Sequence, residues 1–216
     1  SLICDWASED ALDRSPPDVG KRRQRFHVPD RSTLPELEQY ARFEASGRSE
    51  AVLVGSVEAS RGCRHLCTHC PIPPVYQGRF VAVPEEVVLA DIAQQVAAGA
   101  RHITFTDPDF LNGPGHAQKV VRAMHAEFPQ LSFDFTARIP HLLRHCDLLP
   151  EMAAAGCAFV VSAVESLSDD VLAALGASPG ALAGQTLLLT GATLPMEPED
   201  DQIALPGKRF AAQCLR

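Results

Sequence analysis

Apolar and polar positions along the middle of this chain alternate with two different periods. Ala51–Val57 is a β-branched apolar run and reads as a strand. Pro84 opens a helix whose apolar face is Val88, Leu89, Ile92 and Val96, and Gly99 closes it. His102–Thr106 reads as the next strand. Gly113-Pro114-Gly115 leads into a helix with Val120, Val121, Met124 and Phe128 at helical spacing. Leu131–Thr136 alternates as a strand does. Leu142–Ala155 reads as a helix broken near Asp147 and capped by Gly156. Cys157–Val164 is a buried strand. Ser168 caps a last helix, with Asp169 and Asp170 at its positive end and Val171, Leu172 and Leu175 behind them.

Four strand-then-helix units in sequence predict parallel strands joined by helical crossovers. The fold class is therefore α/β, as a (β/α) barrel or a doubly wound sheet, and in both the ligands bind at the carboxyl ends of the strands. Outside this core the periodicity fades. Residues 1–48 read as irregular, with a short helix over Leu34–Glu44 capped by Thr33 and ended by Gly47. Residues 177–216 hold one strand-like run, Thr186–Thr190, and the acidic, turn-rich Met196–Asp201. The predicted organisation is thus an extension at 1–48, a core at 49–176 and a divergent tail at 177–216.

Composition narrows the function. The 216 residues carry a net charge of −8 and a pI near 5.4, which disfavours bulk nucleic acid as a partner. The basic cluster of Lys21, Arg22, Arg23, Arg25 and Arg31 reads as a solvated surface. No apolar run approaches the roughly 18 residues of a membrane span, and no secretory h-region opens the chain. Seven cysteines without an export signal point to a reducing cytoplasm and metal binding.

The chemistry concentrates in Arg61-Gly-Cys-Arg-His-Leu-Cys-Thr-His-Cys-Pro71. Cys63, Cys67 and Cys70 stand at C-x3-C-x2-C spacing directly after the first strand. Three soft thiolates in eight residues select an iron–sulfur cluster, zinc or copper(I). A zinc module would need a fourth ligand from His65, His69, Cys146 or Cys157. Otherwise His65 and His69 read as packing or surface residues, Cys146 and Cys157 as core thiols, and Cys4 and Cys214 as peripheral. At the other strand ends stand Asp107 and Asp109, Arg138 and Glu165. Each also has a plain reading: turn or capping residues for the two aspartates, a surface arginine, a solvated loop carboxylate.

Four ordered segments resemble the radical S-adenosylmethionine (radical SAM) superfamily: Cys63-x3-Cys67-x2-Cys70, Ile103–Leu111, Phe133–Arg138 and Gly156–Leu172. Gly78–Pro84 and Asp107–His116 are similar, more narrowly, to the CUAEP/CCAEP-tail radical SAM proteins. The resemblance implies a partial (β/α) barrel of about four units. It implies a [4Fe–4S] cluster on Cys63, Cys67 and Cys70, with SAM chelating the fourth iron and cleaved to a 5′-deoxyadenosyl radical that abstracts hydrogen from a substrate the residues do not specify. Asp107 or Asp109 would receive the SAM ammonium, Arg138 a carboxylate and Glu165 the ribose hydroxyls. His69 would lie near the adenine. An external donor such as a flavodoxin or ferredoxin would supply the electron, in the cytoplasm. The 48 residues before the core hold no clear cobalamin-binding domain, and there is no second cysteine cluster. The family's usual continuation is absent after Leu175, as is the cysteine motif that names the narrower group, which predicts a fragment or an altered tail with part of the barrel wall missing.

Overall fold

A computed structural model describes residues 24–44, 50–163 and 168–174. In chain order its elements are β1 (Arg42–Phe43), β2 (Val52–Val57), β3 (Ser60–Gly62), α1 (Ile72–Tyr76), β4 (Phe80–Ala82), α2 (Glu85–Ala97) and β5 (His102–Phe105). They continue with α3 (Pro114–Glu127), β6 (Ser132–Thr136), α4 (Ile139–Arg144), α5 (Leu149–Ala154), β7 (Cys157–Val161) and α6 (Asp169–Ala174). Strands β2, β5, β6 and β7 are parallel neighbours, and β1 adds an antiparallel edge beside β2. The five-stranded sheet curls into a half barrel, the partial barrel of the radical SAM type expected from the sequence.

Strand periodicity decides which face meets the helices. Ile103, Phe105, Phe133 and Phe135 point to the helical layer and are almost fully buried. Val88 and Ile92 of α2, Val120, Val121 and Met124 of α3, Leu142 of α4 and Met152 of α5 close over them. Removing such side chains from water stabilises by about 1.5–3 kcal/mol each. The intervening residues face the inside of the half barrel and are polar. Asp134 accepts from Thr104 Oγ1 at 2.6 Å and lies 2.8 Å from His102 Nε2, and His102 Nδ1 lies 2.9 Å from Ser132 Oγ. Phe43 of β1 packs on the His102 ring, with centroids 4.3 Å apart.

Beyond Val54 the outer edge of β2 has no neighbouring strand among the described residues. The buried Gln95 side chain covers it, accepting from Ser56 N at 2.8 Å and donating to Ser56 O at 2.9 Å. Arg31 donates to the same carbonyl at 2.8 Å and grips Asp91 through two bonds of 2.6 and 2.8 Å. A side-chain amide thus replaces the missing strand and blunts the edge. Gly55 is required here, because a Cβ would lie 2.6 Å from Gln95 Oε1.

Two expectations change. Leu34–Glu44 is not a helix: it holds a 3-10 turn at Leu37–Gln39 and then β1. Pairing with Val52 and Leu53, and the packing of Phe43 on His102, outweigh a short helical pattern that buries none of its turn's residues. The single broken helix over Leu142–Ala155 is α4 and α5, separated by a 3-10 turn at Cys146–Leu148 and begun three residues earlier, at Ile139. The Ser168 cap stands, with its hydroxyl 3.4 Å from Val171 N. The Thr186–Thr190 run, the tail at 177–216, Cys4, Cys214 and Glu165 lie outside the described residues.

Candidate functional site

The cysteine loop leaves β2 through a hairpin that the sequence pattern does not show. Ser60–Gly62 pairs antiparallel with Phe80–Ala82, so residues 63–79 form its closed end. Gly62 has φ +77°, and a Cβ there would overlap the Arg79 carbonyl oxygen, which explains the glycine beside the first cysteine. Cys63 is buried, while Cys67 and Cys70 are half-buried; none is in a disulfide. Cys70 N donates to Cys67 O at 3.2 Å, folding the last two cysteines into one turn. Asn112, itself buried, ties the loop to the barrel. Its Nδ2 donates to Cys63 Sγ at 3.4 Å and its Oδ1 accepts from Arg64 N at 3.3 Å.

Asp107 and Asp109 follow β5 and are both buried. Asp107 accepts from Ala59 N at 3.0 Å and from Ser60 Oγ, so it holds the root of the hairpin. Burial pushes its carboxyl up to about 6, only partly offset by those hydrogen bonds. Asp109 caps the 3-10 turn at Phe110–Asn112 by accepting from Leu111 N at 3.2 Å. Its other oxygen lies 2.8 Å from His141 Nδ1, and His141 Nε2 lies 3.2 Å from His65 Nε2 in the cysteine loop. Burial, with the nearby Arg138 cation, lowers the His65 pKa. Loop, β5 end and α4 therefore meet at one point on the carboxyl rim.

Residues 57–182, more than half of the chain, match the Radical SAM superfamily. The chain belongs to the radical SAM superfamily. Its fold is similar to the radical S-adenosylmethionine methyltransferase TsrM from Kitasatospora setae, solved with cobalamin and a [4Fe-4S] cluster bound. The identity is 23%, with a TM-score of 0.48 over 59% of this chain and 24% of that one. It is also similar to the cobalamin-dependent S-adenosylmethionine radical enzyme OxsB, solved with aqua-cobalamin bound, at 19% identity and a TM-score of 0.47 over 62% of this chain and 24% of that one. The chain spans about a quarter of the length of these structures. No curated protein matches it.

The residues present fit the cluster that the family implies. Three soft donors lie on one loop, and Asn112 donates an N–H bond to one of them. Of the other expected site residues, Asp107, Asp109 and Arg138 sit on the same rim. Arg138 is half-buried at the start of α4, close enough to His65 to bias its charge. His69 is exposed on the loop. Cys146 and Cys157 are half-buried against the core, and burial, reinforced by the Asp134 charge, pushes the Cys157 thiol up to about 12. It stays protonated in the metal-free fold. The sequence reading missed Asn112, Ser60 and His141, whose roles depend on contacts 47 to 76 residues away along the chain. His141 had one local signal, its place three residues after Arg138 on the first turn of a helix.

Proposed function

We propose that residues 49–176 form the cluster- and SAM-binding core of a radical SAM enzyme. The observation that carries this is the cysteine loop held over the carboxyl rim by Asn112 and Asp107 within a chain of this superfamily. Cys63, Cys67 and Cys70 would hold the [4Fe–4S] cluster, which with SAM supplies one-electron cleavage of the sulfonium bond. The remaining chemistry is positioning. Arg138 would pair with the SAM carboxylate, Glu165 with the ribose hydroxyls, and His69 would pack near the adenine. Asp107 fixes the root of the loop, and Asp109 fixes the turn that carries Asn112. Receiving the SAM ammonium at either would displace one of the contacts they now make.

The zinc alternative is less well supported. Sulfurs on a single tetrahedral zinc ion stand about 3.8 Å apart. Among the described residues the one trio of possible ligand atoms within 4.8 Å of each other excludes all three cysteines. We also propose membership of the CUAEP/CCAEP-tail group on Gly78–Pro84 and Asp107–His116, an electron donor of the flavodoxin or ferredoxin type, and a cytoplasmic setting.

The test is anaerobic reconstitution, dithionite reduction with SAM, and assay of 5′-deoxyadenosine. The parent should form it and Cys67→Ala should not. A reconstituted cluster that yields no deoxyadenosine would mean the loop is intact but the SAM site is not.

A further inference from the structure

The trio His65, Asp109 and His141 is not required by the cluster. Asp109 is 1% exposed and His141 7%, while His65 is half-buried on the cysteine loop. One ligand atom from each lies within 4.8 Å of the others. His141 Nδ1 and Asp109 Oδ2 are only 2.8 Å apart, yet neither makes a satisfactory hydrogen bond, so two buried polar atoms stay unsatisfied. A small rotation of the ring would bring Nδ1–H into line with the carboxylate. That bond would fix the tautomer and leave a lone pair on His141 Nε2, 3.2 Å from His65 Nε2, with which it now shares a hydrogen bond that a metal would replace once the rings turn.

This is the arrangement of a carboxylate behind a metal-binding histidine. Two imidazole nitrogens on one tetrahedral zinc, with bonds of about 2.0–2.1 Å, stand about 3.3 Å apart. We infer that His65 and His141, with Asp109 orienting His141, form a site for one divalent ion of the zinc class, separate from the cysteine site. Neutral imidazoles suit zinc, iron(II) or nickel, and the remaining positions are open to water. The ion would join the cysteine loop to α4 across the rim.

The probe is zinc itself, added to the full chain after anaerobic cluster reconstitution, with zinc and iron counted together after gel filtration. The parent should hold one zinc per chain beyond its iron. His65→Ala and His141→Ala should each lose that zinc while keeping the iron, and Asp109→Asn should weaken zinc binding about 10–100-fold. If His141→Ala fails to fold, His65→Ala decides, because that ring is half-exposed on a loop. Zinc retained equally by the parent and His65→Ala, or absent from the parent, overturns the site and leaves the two rings simply hydrogen-bonded. Zinc that depends on the two histidines in a chain without iron would keep this site and sink the cluster reading instead.

Discussion

At the scale of single residues, Asp107 shows how one buried carboxyl ties stability to pH. Its folded pKa is raised to about 6 from an ordinary 3.8. The folded state therefore holds this proton more tightly than the unfolded chain does. The stability it confers is complete below about pH 4 and is lost as pH rises through about 6. Asp107→Asn keeps an acceptor for Ala59 N and an amide for Ser60 without the charge. Urea unfolding of the cluster-free protein should show the variant gaining on the parent by about 2 kcal/mol between pH 4.5 and 7.5. Equal pH slopes for the two proteins would remove Asp107 from the account. The three cysteines and both aspartates stood out as candidates because chemistry and spacing mark them locally, while the hairpin-root and capping contacts of the aspartates emerge only in the fold. Asn112 and Ser60 were not, since nothing near them in sequence announces a partner in another element.

The elements repeat that lesson. Helices α2 and α3 and strands β5 and β6 follow from apolar periodicity, because one face of each is fully buried and the other is not. The hairpin of β3 and β4 and the edge strand β1 have two or three residues apiece and no readable period. Long-range pairing and the conformation of Gly62 create them. The β2 edge carries an element-scale prediction. Gln95→Leu fills similar space but strips the acceptor from Ser56 N and one of the two donors from Ser56 O, which keeps Arg31, and should cost about 1 kcal/mol. Its urea midpoint should fall and light scattering on refolding should rise, since the uncovered edge is free to pair with another chain. Parent-like stability and scattering would mean that Arg31 alone protects the edge.

For the whole molecule, the described candidate residues gather where three of the four parallel strands end, which is why a reading of strand order already located the rim. It could not show which rim residues touch. That depends on contacts between distant elements, such as His141 of α4 with His65 of the cysteine loop, rather than on any motif. No helix among the described residues is long and apolar enough to cross a membrane. The central claim is that Cys63, Cys67 and Cys70 carry a four-iron cluster with one iron open to SAM. Electron paramagnetic resonance of the dithionite-reduced, reconstituted chain, recorded with and without SAM, addresses it directly. The account predicts a reduced [4Fe–4S] signal that changes shape when SAM is added and disappears in Cys67→Ala. A signal indifferent to SAM, or a chain that takes up zinc at the three cysteines and no iron, would contradict it.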